Sequence, residues 1–217
     1  MLNKLYEKWK IINKYNLPEF TGYEDVLEDL KLFTKERYDK DPEKVTDEIF
    51  NIYRSINIVP ITYFSQRGIE NKIRELQLSI PNQVKDYTLG LGNNKGQDLI
   101  RFMFPNMMTA EPKGRGSNSL KDRFYNDKKL KRAIKICFVH REGDNPVRPS
   151  LIRTALELVT GENIQNFKAF NARSIVEDLC PMFNGRVYDY SAGYGGRMLG
   201  RCTSTMHYEY HSVEPNA

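Results

Sequence analysis

The chain has 217 residues and a net charge of +5 at neutral pH, and 40% of its residues are hydrophobic. That apolar fraction is enough to build a core, so disorder along the full length is excluded. The mean hydropathy of −0.62, with no apolar run near the roughly 18 residues of a membrane helix, excludes a membrane-spanning protein. A charged start predicts no secretory signal, and three scattered cysteines predict no disulfide framework. We therefore expect a cytoplasmic protein.

The first third of the chain predicts helices. Apolar residues recur close to helical spacing over residues 2–15. The sequence from Thr21 to Glu24 matches a capping box, which predicts the start of a second helix. Asp41 followed by Pro42 is typical of an N-cap with proline in the first turn. A further helix is expected over residues 69–78.

The middle third combines glycines with positive charge. Residues 90–96 form a glycine-rich turn in which Lys95 precedes Gly96, whereas a phosphate-binding P-loop ends in Gly-Lys-Ser/Thr. We therefore interpret this segment as a flexible turn. A basic loop follows, and after it one basic helix is predicted from about Ser119 through Lys135.

The last third changes character. A helix is expected to begin at Pro149 and to end at Gly161, and a second helix to cover residues 171–179. A short strand over residues 186–190 is followed by glycines, a short helix and a strand over residues 208–213. Strand, glycine loop, helix and strand make up half of a βαβαβ nucleotide-binding unit.

The loop after the first of these strands carries the most chemical information. Glycines such as Gly193 and Gly195 let a backbone approach a ligand closely because no Cβ intervenes. Glu214, at the end of the next strand, lies where an acid accepts hydrogen bonds from ribose hydroxyls. Asp189 adds a negative charge at the strand tip, which suits a ligand with an amino group better than a pyrophosphate.

Asp189, Gly193 and Gly195 together resemble motif I of the S-adenosylmethionine-dependent methyltransferases, whose pattern is Asp-x-x-x-Gly-x-Gly. Glu214 is similar to the ribose-binding acid of that family. The segment 166–172 looks like the one that contacts the methionine end of the cofactor in amino-methylating DNA methyltransferases. The resemblance implies S-adenosylmethionine as cofactor, bound through Phe167, Asn171, Asp189, Ser191, Gly193, Gly195, Gly196 and Glu214.

The resemblance extends over most of the chain. Residues 166–216 look especially like phage-encoded DNA methyltransferases with a long helical N-terminal region, and the runs 58–64 and 122–124 look like parts of that region. The resemblance implies an α/β fold, with a mainly helical region over residues 1–145 followed over residues 146–217 by the start of a Rossmann-like methyltransferase domain. A phage-encoded enzyme would act in the bacterial host cytoplasm.

One part of the family's chemistry has no counterpart. A methyltransferase acting on an exocyclic amine flips the base out, and the family holds it with an Asn/Asp/Ser-Pro-Pro-aromatic tetrapeptide. The chain contains no Pro-Pro pair, and its final residue follows directly on the second strand. We therefore expect the N-terminal, truncated portion of an enzyme for adenine N6 or cytosine N4, without turnover of its own and with its catalytic residues unknown.

Positive charge is concentrated in the middle of the chain. Residues 101–135 carry a net charge of +7, whereas residues 1–60 carry a net charge of −2. A local excess of this size favours contact with DNA phosphates over a merely solvated helix face. The candidate DNA-binding residues are Lys113, Arg115, Lys121, Arg123, Lys128, Lys129, Lys131 and Arg132.

Two other classes of function stay open at this point. One is a non-catalytic DNA-binding or phage–host interaction protein derived from a methyltransferase, and the other is an αβ protein that binds NAD or ATP. No metal is predicted, since Cys202, His207 and His211 lack a fourth ligand at suitable spacing. The sequence leaves the target site and the oligomeric state open.

Overall fold

The computed structural model describes residues 28–81, 84–85, 88–89, 94–111, 118–140, 145–159, 164, 166–180, 184–205 and 207–214. Residues 28–31 are helical, and a 3-10 helix covers Pro105–Met108. The other helices of the described ranges are α1 (Lys35–Lys40), α2 (Pro42–Ile56), α3 (Gln66–Leu78), α4 (Gln97–Met103), α5 (Leu120–Tyr125), α6 (Asp127–His140), α7 (Pro149–Leu158), α8 (Ala169–Leu179) and α9 (Gly196–Cys202). The strands are β1 (Val84–Lys85), β2 (Thr88–Leu89), β3 (Asn184–Asp189) and β4 (His207–Ser212).

The helix predicted from Asp41 and Pro42 is confirmed. The Asp41 carboxylate accepts a hydrogen bond from the Lys44 backbone N–H at 3.1 Å, and Pro42 occupies the first turn of α2. The helix ends at Asn57, whose φ of 52° is left-handed. The helix predicted over residues 2–15, the capping box at Thr21 and the helix end at Gly161 lie outside the described residues, and so does most of the glycine-rich turn.

Two compact units make up the described chain. The helical unit contains residues 28–62 and the described part of 108–164, and the sheet unit contains the described parts of 63–107 and 165–217. These limits follow spatial contacts. They differ from the boundary predicted near residue 145, which stays a prediction.

The helical unit has one apolar core, built from α1, α2, α5, α6 and α7. Tyr38 of α1 stacks on Phe138 of α6, with ring centroids 4.2 Å apart. The hydroxyl of Tyr53 donates a hydrogen bond to the carbonyl oxygen of Val147 at 2.7 Å, so this buried polar group is satisfied. The core also contains the buried side chains of Leu30, Phe33, Val45, Ile49, Phe124, Leu130, Ile134 and Ile152.

The basic helix expected to run unbroken through residue 135 is two helices. Asn126 separates α5 from α6, and its side-chain oxygen accepts a hydrogen bond from the Lys129 backbone N–H at 3.0 Å. Asparagine competes with the helix for backbone groups and favours caps, which explains the break. The beginning at Ser119 is confirmed, because Ser119 and Asp122 form a reciprocal capping box.

Within its described residues, the sheet unit contains four helices and two small sheets. β1 and β2 are antiparallel, whereas β3 and β4 are parallel, with Asp189 opposite Ser212. α8 packs on α9 through small residues, where Gly200 lies against Ala169 and Ala172. The side chain of Arg173 on α8 is 3% exposed, and its Nε forms an ion pair with the Glu177 carboxylate at 2.9 Å.

The described chain is therefore mostly helical, with a two-stranded parallel sheet, and belongs to the α/β class in general. β3, the glycine loop, α9 and β4 follow one another in the order predicted from the sequence for residues 186–213. Each strand begins and ends one or two residues before its predicted limits, which is the usual uncertainty of element ends.

Candidate functional site

The loop between β3 and α9 is fixed to the end of β4 by backbone hydrogen bonds. The N–H of Val213 donates to the carbonyl oxygen of Asp189 at 2.9 Å, and the N–H of Ala192 donates to the carbonyl oxygen of Val213 at 3.1 Å. Since β3 and β4 are parallel neighbours, both carboxyl ends meet at one edge of the sheet. In open α/β sheets this edge is where ligands bind.

Asp189, at the end of β3, is the most connected predicted residue. Its Oδ2 accepts hydrogen bonds from the Tyr210 hydroxyl at 2.5 Å and from Arg197 Nε at 2.7 Å, and its Oδ1 accepts one from the Ser191 N–H at 3.1 Å. Burial raises the pKa of the carboxyl, but these hydrogen bonds outweigh burial and hold the pKa below its ordinary value. Asp189 is therefore a carboxylate at neutral pH.

Glu214 and Gly193 are in direct contact. A carboxylate oxygen of Glu214 accepts a hydrogen bond from the Gly193 N–H at 2.5 Å. Gly193 has a left-handed φ of 57°. The acid at the end of β4 therefore lies directly beside the glycine loop.

Gly195 and Gly196 are closed in by aromatic side chains and backbone. Gly195 has a φ of 75°, and a Cβ there would lie 2.5 Å from Cε2 of Phe104. A Cβ on Gly196 would collide with the carbonyl oxygen of Phe167. Both positions therefore require glycine for packing within the sheet unit.

The predicted segment before α8 also lies against the loop. Asn166 Nδ2 donates to the carbonyl oxygen of Tyr194 at 3.1 Å, and the Phe167 ring, 37% exposed, lies 5.5 Å from the guanidinium carbon of Arg197. Asn171 is half-buried on α8, and its Oδ1 accepts no hydrogen bond from the described residues. All eight candidates lie in the sheet unit, and all except Asn171 have contacts that place them at this edge.

Sequence reasoning missed three residues of this site, namely Arg197, Tyr210 and Phe104. A signal existed for Tyr210, because period two along β4 places it on the opposite face from Glu209 and His211. Arg197 directly follows Gly196 in the first turn of α9, and a charged residue at the start of a short helix is expected on the surface. Phe104 has no sequence signal, since it lies far from the loop along the chain.

The candidate DNA-binding residues have different environments. Lys113 and Arg115 lie outside the described residues, and Arg123 is 1% exposed, so its placement does not offer it to phosphate. Lys131 is paired with Asp47 at 2.6 Å. Lys129 donates to Asn118 at 3.4 Å. Among the described candidates, Lys121, Lys128 and Arg132 are exposed and form neither an ion pair nor a side-chain hydrogen bond with the described residues.

Three further observations concern the glycine turn at Lys95, metal sites and membrane-spanning helices. Lys95 donates a hydrogen bond to the Ser79 hydroxyl at 2.8 Å, which gives it a structural role in the glycine turn. No group of three or more His, Cys, Asp or Glu side chains within the described ranges is arranged to hold a metal ion. The described helices include none that is long and apolar enough to cross a membrane.

No protein-family model matches the chain, and neither a curated protein nor a solved structure matches it. A functional proposal therefore rests on the residues of the β3–β4 edge and on the sequence pattern that they carry.

Proposed function

We propose that the sheet unit is the S-adenosylmethionine-binding part of an amino-methylating DNA methyltransferase of Rossmann-like fold. The observation that carries the proposal is the contact between Glu214 and Gly193, formed where the parallel strands β3 and β4 end. A glycine loop beside an acid at this edge is the arrangement that binds the ribose of a nucleoside cofactor.

The residues present fit such a cofactor. Glu214 would accept hydrogen bonds from the ribose hydroxyls, and the ionised Asp189 would attract the cationic end of the ligand. Gly193 keeps the loop free of a side chain beside Glu214, where an added Cβ would meet only Asn166 at 3.9 Å. When bound, the cofactor supplies an electrophilic methyl group for transfer to an amine.

The proposal assigns binding and orientation to these residues, and no proton transfer. The chain contains no Pro-Pro-aromatic tetrapeptide to hold an amine, so this chain by itself is proposed to bind the cofactor without turning it over. In an enzyme of this kind, the protein contributes mainly proximity and orientation.

The proposal is tested by calorimetric titration with S-adenosylhomocysteine, which has the same ribose and amino-acid groups. The wild-type chain is expected to bind, and Glu214→Gln to raise the Kd about tenfold or more through loss of charge-assisted hydrogen bonds. Glu209→Gln is the matched control, since Glu209 lies on β4 but pairs with Arg186 away from the loop. It should leave the Kd unchanged.

Absence of binding at millimolar ligand, or equal affinity of Glu214→Gln and the wild type, would contradict the proposal. Binding of NAD or ATP in place of S-adenosylhomocysteine would favour a nucleotide-binding αβ protein of another class.

A second candidate function is DNA binding or interaction without a cofactor. It is favoured by the exposed cations Lys121, Lys128 and Arg132, which form no ion pair with the described residues. It predicts DNA affinity that falls steeply with salt, together with no binding of S-adenosylhomocysteine.

A further inference from the structure

Arg197 is held on two sides at the edge of the proposed cofactor site. Its Nε donates to Asp189 at 2.7 Å, and its guanidinium carbon lies 5.5 Å from the centroid of the Phe167 ring. The side chain is 33% exposed, and its terminal nitrogens are not among the buried polar atoms of the described residues that lack a partner. The position of the group is therefore fixed while part of it stays accessible.

The terminal nitrogens of Arg197 are the accessible part. Only Nε of this side chain forms a hydrogen bond to the described residues, so both Nη groups have donors to spare. A guanidinium presents its donors as a planar fork that matches the two oxygens of a carboxylate. A ligand carboxylate arriving from solvent would find two parallel donors already oriented.

The charge next to this fork is negative. Asp189 lies in contact with Arg197, and its Oδ1 accepts one hydrogen bond, from the Ser191 N–H. An anion and a cation side by side are complementary to a zwitterion, whose ammonium and carboxylate groups are separated by one carbon. Neither a phosphate nor a simple amine would satisfy both side chains.

We propose that Arg197 binds the carboxylate of an α-amino-acid group and thereby determines the specificity of the site for ligands that carry one, with Asp189 facing the ammonium group. This inference rests on the proposed function, because that group is the methionine end of S-adenosylmethionine. It adds a residue to the site: through Arg197, the affinity for a ligand would depend on whether the ligand carries a carboxylate.

The test uses three probes that share one nucleoside. S-adenosylhomocysteine has both charged groups, its decarboxylated analogue keeps only the amine, and 5′-methylthioadenosine has neither. In the wild type, S-adenosylhomocysteine should bind most tightly. In Arg197→Gln its Kd should rise about 10- to 100-fold, whereas the Kd values of the other two probes should stay within about twofold of the wild type.

Two further variants separate carboxylate recognition from a structural role. Arg197→Lys keeps the charge and a partner for Asp189 but loses the fork, so it should recover only part of the affinity for S-adenosylhomocysteine. Arg186→Gln removes an exposed arginine of β3 and should change none of the three Kd values.

The outcomes distinguish a failure of the role assigned to Arg197 from a failure of the proposed cofactor binding. If Arg197→Gln weakens all three probes by the same factor, or none of them, the assignment of Arg197 is wrong while cofactor binding stands. If the wild type binds none of the probes, the proposed function fails and takes the inference with it. A selective loss of the carboxylate-bearing probe supports both.

Discussion

At the scale of single residues, the carboxylate of Asp189 shows how the fold keeps a charge stable in a partly buried place. A carboxylate removed from water is costly unless donors replace the solvent. Tyr210, Arg197 and the Ser191 backbone supply those donors. Their combined effect exceeds burial, so the pKa of Asp189 falls below its ordinary value. The ionised form therefore stabilises the folded unit above about pH 4, and this contribution is lost as the pH falls through the lowered pKa.

We predict that Tyr210→Phe lowers the free energy of unfolding by about 1 kcal/mol at neutral pH, because a hydrogen bond to a charged group is lost. The difference from the wild type should narrow as the pH falls below the pKa of Asp189. Urea unfolding at several pH values measures both. The matched control is Tyr188→Phe, since Tyr188 is 69% exposed on β3 and contributes its ring to a stack on His211.

A loss of the same size in Tyr188→Phe, or a difference for Tyr210→Phe that does not change with pH, would contradict this account of Asp189.

Part of the candidate site could be predicted from the sequence, because the ends of parallel strands lie at one edge of the sheet. Asp189, Gly193 and Glu214 follow from the rule that parallel strands end at one edge, and Glu214 does contact Gly193. Arg197 could not be predicted because the sequence around the loop gives no direction for its side chain. The alternation along β4 gives the face on which Tyr210 lies, but it does not give Asp189 as the partner of its hydroxyl. Whether a given arginine pairs with Asp189 depends on packing that involves Phe167, which local periodicity does not encode.

At the scale of elements, the short helix α9 depends on how closely it approaches α8. A Cβ on Gly200 would overlap the carbonyl oxygen of Ala169 and lie 2.6 Å from the Cβ of Ala172. Backbone atoms cannot rotate away as a long side chain can, so the two helices would have to separate. Because α9 follows the glycine loop directly, this packing also positions the loop.

We predict that Gly200→Ala destabilises the protein by about 1–3 kcal/mol, the usual effect of overpacking, and weakens binding of S-adenosylhomocysteine. Gly68→Ala is the matched control, because Gly68 is also helical but its added Cβ would make only ordinary contacts of 3.4 Å or more. That substitution should stabilise the protein by up to about 1 kcal/mol through helix propensity.

Thermal unfolding of Gly200→Ala and Gly68→Ala measures these changes in stability. Equal effects of the two alanines would mean that the α8–α9 approach is not as close as described.

The helix start at Asp41 could be predicted because its carboxylate accepts a hydrogen bond from the backbone N–H three residues on, a contact that the sequence itself specifies. The start near Ser119 is predicted without its capping box. The local cap at Ser65 is missed, since the helix there is expected to begin at residue 69. The break at Asn126 was missed because the charge pattern on both sides continues without interruption. Capping by Asn126 outweighs that continuity, which carries little energy for exposed lysines.

At the scale of the whole molecule, the uneven charge along the sequence is partly cancelled in the helical unit. Lys131 of α6 pairs with Asp47 of α2 at 2.6 Å, and Lys135 pairs with Glu43 at 2.5 Å. The hydrogen bond from Lys135 to Glu43 raises the pKa of that lysine. The acidic first third of the chain therefore neutralises part of the basic middle third. The net charge of +7 counted over residues 101–135 overstates the positive charge that is available to a polyanion.

Lys128 and Arg132 are exposed, one turn apart on α6, and form no ion pair within the described ranges. If the helical unit binds DNA, these two cations should contribute more than the paired ones. We predict that Lys128→Gln with Arg132→Gln weakens duplex DNA binding and lowers the slope of log K against log salt by about two, because two phosphate contacts are lost. Fluorescence anisotropy over a salt series measures this slope.

The double variant Lys131→Gln with Lys135→Gln removes the same net charge from the same helix, but from residues already paired with Asp47 and Glu43. Its salt slope should change by less than one. An equal change in both double variants would mean that total charge governs the interaction, and that the exposed pair on α6 is not a DNA contact. Selective loss in the exposed pair would place the contact at Lys128 and Arg132, because lysines already paired with carboxylates neutralise fewer phosphates and so release fewer of the cations condensed on DNA.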